Sequence, residues 1–298
     1  MASLLAALGL LVNALVWGVS WWPFRQLEAL GVHPLWATAM IYLLAAVVLL
    51  IVRPGTWRAF AKFPALWVLL VAAGLTNVSF NWAVTVGDVV RVVLLFYLMP
   101  AWVVLLAWPI LGERPTAGSL ARLGLALAGV VIVLKTDNSP WPWPNALPDY
   151  LALMAGFCFA LTNVMLRKLG SAPAAAGMLA MFAGGTLMAG LAALWGLYSG
   201  IVPALPVVSI TSITWPLWVG GLSLMFLVAN FGLQYGAARL SANTGALIML
   251  SEVVFASGSA VLLGAGTVTP QTLLGGTLIV MASLLSVWAH GRPTAPAA

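Results

Sequence analysis

The side chains of this chain that are able to meet a solute lie inside long apolar runs. They are amides, hydroxyls and aromatic rings, with one carboxylate among them. Asn77 and Asn81 stand four residues apart, as do Asn230 and Gln234, and that spacing puts each pair on one helix face. Asn13, Ser20, Ser79, Thr162, Asn163, Tyr235, Asn243, Thr244 and Ser251 have similarly apolar neighbours. Two roles are open to such groups: hydrogen bonding between helices, worth about 0.6 kcal/mol per contact, or lining a wet cavity that receives a substrate. Glu252 is the only acid well inside an apolar run. It is either a proton carrier or partner of a substrate ammonium, or a protonated structural hydrogen-bonder. Trp17, Trp21, Trp82, Trp102 and Tyr97 lie deep in these runs. Aromatic faces beside a few amides suit a flat, partly apolar ligand or a cation; ordinary packing is the alternative. Asp88 and Arg91 are one turn apart at the mouth of a run, placed as a gate pair or as boundary residues.

Other chemistries are poorly provided for. The chain has no phosphate-cradling P-loop and no cluster with metal-ligand spacing. His33 and His290 fall near the ends of different runs, so a Ser-His-Asp triad has no histidine to use. Cys158 is the only cysteine and forms no intrachain disulfide. No cofactor and no enzymatic activity are expected. A net charge of +6 would suggest nucleic acid in a soluble domain, but here the basic residues lie in loops between apolar blocks. The expected partners are a small-molecule substrate and membrane lipids, without nucleic acid, and a monomer is the expected state.

The elements that must position these groups follow from composition. The 298 residues include only 12 Lys or Arg and 6 Asp or Glu, and 63% are hydrophobic. The mean hydropathy is +1.09. A soluble domain carries about 25% charged residues, so this chain cannot build a charged shell. Its apolar blocks are about 20 residues long, the length that crosses about 30 Å of hydrocarbon as helix. Ten spans are predicted, at 4–24, 33–52, 64–84, 89–109, 117–134, 149–168, 174–197, 215–236, 241–263 and 271–289. Helix is expected because a single pass must satisfy its own backbone groups. Strict alternation, as in a β-barrel strand, is missing. Pro100 falls inside the fourth span and removes one donor from its ladder, which predicts a kink. Small residues at Gly124 and Ala128, and at Gly184 and Gly185, predict close helix approach, and the Ala/Gly-rich seventh span is expected to pack on a neighbour.

Pro140-Trp-Pro-Trp-Pro144 resists helix and divides the chain. The expected organisation is a first five-helix unit at 1–139, a linker at 140–148, a second unit at 149–290 and a disordered tail at 291–298. Placing the N-terminus in the cytoplasm puts Arg53, Arg58, Lys62, Arg114, Arg122, Arg167, Lys168, Arg239 and Arg292 on that side. Arg25, Arg91 and Lys135 then lie opposite. Both termini are therefore expected to be cytoplasmic. Leu11 to Arg25 can be laid over Leu153 to Arg167, and Asn81-Trp-Ala over Gln234-Tyr-Gly. Five spans per unit is an odd number, so two such units run in opposite senses, the inverted-repeat plan of many secondary transporters.

The chain resembles the drug/metabolite transporter superfamily, in its EamA-like ten-helix branch. The resemblance rests on Asn13-Ala-Leu-Val-Trp17-Gly18-Val-Ser20, on Met99-Pro100, and on Leu111-Gly112-Glu113-Arg114-Pro115 after the fourth span. The second half departs from it, with Leu263-Gly264-Ala265-Gly266 and no Glu-Arg. The resemblance implies an all-α basket of ten transmembrane helices in the bacterial inner membrane. Within the superfamily the chain looks like bacterial aromatic amino-acid exporters. That likeness implies export of small metabolites, amino acids above all, by alternating access. Efflux of cationic or apolar drug-like compounds, or a scaffold without a solute path, are the competing expectations. By the same resemblance, substrate contacts come from spans 1, 3, 4, 6, 8 and 9. Here those positions are Trp17, Ser20, Trp21, Asn77, Asn81, Tyr97, Trp102, Asn163, Gln234, Tyr235 and Glu252. Asp88, Arg91 and Pro100 are the gating or boundary candidates.

Overall fold

A computed structural model describes residues 2–135, 143–203, 205, 214–237, 239–240, 248–249 and 251–290. Residues 140–142 of the linker, Asn243, Thr244, part of the ninth predicted span and the tail from Gly291 lie outside the described residues. Among the described residues all regular structure is helical. The helices are α1 (Ala2–Val19), α2 (Trp21–Ala29), α3 (Pro34–Val52), α4 (Ala59–Lys62), α5 (Ala65–Val86), α6 (Val89–Phe96) and α7 (Met99–Leu111). They continue as α8 (Ala117–Leu134), α9 (Leu147–Lys168), α10 (Ala174–Tyr198), α11 (Thr214–Ala237), α12 (Ser251–Leu262) and α13 (Pro270–His290). Among the described residues, eight helical stretches are long and apolar enough to cross a bilayer, and Ser251–Leu262 and Pro270–Ala282 are shorter apolar helices. The protein is an all-α, multi-spanning membrane protein.

Local chemistry sets the ends. His33 caps α3, its Nδ1 accepting from the Leu35 N–H at 3.3 Å, and Pro34 takes the first helical position, where a missing N–H costs nothing. Partial burial pushes the His33 imidazole below its ordinary pKa, which favours the neutral form. Asp88 caps α6 by accepting from the Arg91 N–H at 2.9 Å. Thr116 and Ser119 form a reciprocal capping box on α8. Gly112, at φ +75°, closes α7 in the left-handed region.

Two spans are broken, and each break has the same cause. Proline withholds the N–H that would bond the carbonyl four residues back. Pro23 leaves Val19 without its donor, and α1 ends at Val19; Pro100 leaves Phe96 without its donor, and α6 ends at Phe96. The kink expected at Pro100 is thus an interruption at Tyr97-Leu98, with Pro100 in the first turn of α7.

Lipid gives helices no hydrophobic reason to associate, so close backbone approach through small residues matters more. Gly9 of α1 meets Gly232 of α11 so closely that a Cβ on either would lie 2.8 or 2.6 Å from the other's carbonyl oxygen. Gly129 of α8 and Gly275 of α13 stand in the same relation, at 2.6 and 2.7 Å. Gly74 of α5 is pressed against Gly184 of α10, and Gly185 against the Tyr42 ring of α3. The seventh predicted span does pack on its neighbours through its glycines. Gly124, by contrast, faces open space; Gly129 is the close-approach residue of that helix, because it lies on the face turned to α13.

One pair of spans is tied at both ends. Arg91, in the first turn of α6, donates from Nε and Nη2 to the two carboxylate oxygens of Asp149 in the first turn of α9, at 2.7 and 2.9 Å. At the other end, Glu113, just past α7, pairs with Arg167 in the last turn of α9. The α6–α7 span and α9 therefore run parallel, side by side.

Candidate functional site

Helices from both halves of the chain converge on a cavity of about 90 Å³. α1 contributes Asn13 and Trp17, and α5 contributes Ala73, Thr76, Asn77 and Phe80. Phe96 comes from the end of α6, Phe159 and Thr162 from α9, Met181 from α10, and Asn230 and Leu233 from α11. Met249 and Glu252 complete the wall.

The rings of the wall form two groups. Phe96 lies between Phe80 and Phe159, with centroids 4.8 and 5.3 Å away. Trp17 stacks on Phe226 at 4.7 Å. Behind Asn77, the Tyr42 hydroxyl donates to Asn77 Oδ1 at 2.8 Å. The three asparagines of the wall each direct an amide N–H to a backbone carbonyl: Asn13 to Ala229 at 2.9 Å, Asn77 to Ala73 at 2.8 Å and Asn230 to Phe226 at 3.0 Å. Asn13 Oδ1 and Thr162 Oγ1 are buried without a hydrogen-bond partner. Among the described residues no Lys, Arg or His lines this space, and Glu252 is its only ionisable group.

Of the eleven substrate-contact candidates, Trp17, Asn77 and Glu252 lie on the wall. Tyr97 is buried directly behind it, its hydroxyl 3.4 Å from Glu252 Oε2. The others are engaged elsewhere. Ser20 Oγ donates to the Trp17 carbonyl at 2.9 Å, at the α1–α2 break. Trp21 donates to Ser259 Oγ at 2.9 Å and so ties α2 to α12. Asn81, one turn beyond Asn77, reaches Thr38 on α3 at 3.2 Å. Asn163 bonds back to the Phe159 carbonyl at 2.9 Å. Trp102 sets its ring edge-on to Phe157 at 5.6 Å. Gln234 and Tyr235 are near the end of α11, where the Arg239 guanidinium covers the Tyr235 ring at 3.7 Å. The boundary candidates Asp88 and Arg91 do not pair with each other through their side chains. Arg91 goes to Asp149, while Asp88 accepts from the Thr267 N–H and hydroxyl at 2.8 and 3.1 Å, holding the loop before α13.

Several wall residues were not among the substrate-contact candidates: Thr76, Phe80, Phe96, Phe159, Thr162, Met181, Asn230, Leu233 and Met249. A usable signal exists for part of this set. Ala73, Thr76 and Phe80 share the helix face of Asn77, Leu233 that of Asn230, and Asn13 that of Trp17.

Residues 4–135 match the EamA-like transporter family. The match covers less than half of the 298 residues, and what it indicates is likeness to a transporter family. No curated protein matches the chain. One solved structure, described only as "Crystal structure of protein", is 19% identical with a TM-score of 0.59, covering 96% of this chain and 99% of that chain. At that identity the likeness shows the fold alone, over nearly the full length.

Proposed function

We propose that this protein exports small metabolites, aromatic and hydrophobic amino acids first among them, by alternating access between two inverted five-helix halves. The observation that carries the reading is a cavity whose walls come in pairs from the two halves. One displacement along the sequence relates Asn77 to Asn230, Phe80 to Leu233 and Phe96 to Met249, and all six line the space. Trp17 and Phe159, matched when the first and sixth spans are overlaid, line it too. Helix pairing supports the same plan. α1 packs on α11 and α12, while α9 packs on α5 and on α6–α7; exchanging the halves turns one set into the other. The parallel run of the fourth and sixth spans also fits inversion, since alternate passes then leave the first and sixth opposed. A site shared by two such halves can open to either side as they rock.

Purified protein in sealed liposomes is expected to pass labelled tryptophan or phenylalanine above protein-free controls. Failure with every member of an amino-acid panel would sink the amino-acid reading. A second reading, efflux of cationic or apolar compounds, is favoured by one feature: no basic side chain among the described wall residues is available to meet a substrate carboxylate. A solid scaffold predicts something else again. In a Cys158→Ala background, Asn230→Cys is expected to react with a water-soluble thiol reagent, and Ala193→Cys, fully buried between helices, is not. Equal protection of both would favour the scaffold.

A further inference from the structure

We propose that Glu252 is the anchor for a positively charged nitrogen, so that the cavity takes aromatic or apolar organic monocations ahead of zwitterions and anions. This inference rests on the transport reading and deepens its second form, efflux of cationic compounds, rather than the amino-acid form.

Glu252 is the only ionisable group among the described wall residues, so no cation there meets a ligand carboxylate. Each wall asparagine spends one amide N–H on a backbone carbonyl, of Ala229, Ala73 and Phe226. Asn13 Oδ1 and Thr162 Oγ1 are buried with no partner, and both residues are 1% exposed. Glu252 adds a carboxylate on the same wall, met by a long hydrogen bond from Tyr97 at 3.4 Å. Buried acceptors left unpaired cost free energy until a donor arrives, and an ammonium supplies up to three donors with the matching charge. A ligand carboxylate in the same place meets a second acid and, among the described wall residues, no positive charge.

The apolar part of the wall favours the same ligand. Trp17, Phe80, Phe96 and Phe159 line the space, and a desolvated cation over an aromatic face is attracted by the ring quadrupole. No arginine or lysine competes for those faces among the described wall residues. Tyr97 adds a structural consequence. It lies in the interruption between α6 and α7, so an ammonium that takes its place at Glu252 frees a residue at the break.

Three indole probes differing in charge test this: tryptamine, tryptophan and indole-3-acetate, radiolabelled, bound to the full-length protein in detergent. Tryptamine is expected to bind about tenfold or more tighter than tryptophan, and Glu252→Gln to abolish that preference. Glu252→Asp, which keeps the charge, is expected to keep the ranking and guards against a misfolded Gln variant. The proposal is overturned if tryptophan or indole-3-acetate binds as tightly as tryptamine, if Glu252→Gln retains the preference, or if none of the three binds. Those outcomes leave amino-acid transport to the liposome panel. Conversely, failure of that panel with the tryptamine ranking intact removes the amino-acid reading and keeps this subsite.

Discussion

Replacing Gly184 with valine is expected to destabilise the helix bundle by about 3 kcal/mol, the upper range for overpacking a closely packed contact. A side chain at Gly184 has nowhere to go. Its Cβ would fall within the van der Waals envelope of the Leu70 carbonyl oxygen on α5, and Gly74 lies just beyond. The obstacle is backbone rather than a flexible side-chain end, so only a shift of α5 from α10 relieves it. Valine has a better intrinsic helix propensity than glycine, but by less than about 1 kcal/mol, so the clash decides the sign. Gly190 provides the control. It lies on the same helix, and a Cβ there would meet nothing within 4 Å, so Gly190→Val is expected to be neutral or slightly stabilising. Thermal unfolding of both variants in mild detergent separates the cases, and equal stability would refute the close-approach account of α5 and α10.

The second large effect concerns Asp149. Its side chain is 5% exposed and accepts two bonds from Arg91, plus the Asn145 N–H at 3.1 Å. Arg91 also donates to the Val133 carbonyl of α8 at 2.6 Å, so three helices meet at this one guanidinium. Asp149→Ala leaves that cation partly buried without its counter-charge. Breaking such a pair costs about 3 kcal/mol, at the low end of the range for fully buried pairs because Arg91 keeps some exposure. Arg91→Lys retains charge but loses the two-pronged geometry, and an intermediate loss is expected. The Glu113–Arg167 pair at the opposite end of the same spans has side chains 46% and 50% exposed. Glu113→Ala is expected to cost no more than about 1 kcal/mol. Thermal unfolding of the same kind compares them. Similar losses for Asp149→Ala and Glu113→Ala would mean that burial does not distinguish the two ties.

Much of the architecture is legible from residue order. The apolar blocks and the scarcity of charge already require membrane-spanning helices. Pro23 and Pro100 each mark a break four residues upstream; Pro100 inside an apolar span predicts a kink, and the helix is instead interrupted at Tyr97-Leu98. Small residues in the seventh span pointed to close packing; in the fifth span they pointed at Gly124, and Gly129 holds the contact. The cavity was legible in part. Trp17, Asn77 and Glu252 stand out by polarity and depth and lie on its wall, while Ser20, Trp21 and Asn81 share those properties and are spent on helix-to-helix or helix-break bonds.

What residue order determined by itself is the solvent of this protein, its helical character and the faces on which polar groups fall, because those depend on composition and on the period of a single helix. Which face meets which neighbour was decided only in three dimensions. In lipid, the side of a helix that packs and the side that faces acyl chains are both apolar, so hydrophobicity does not tell them apart. The Arg91–Asp149 tie, the Tyr97–Glu252 contact and the presence of Asn77 and Asn230 on one cavity wall bring together residues far apart in the chain, and no local pattern specifies them.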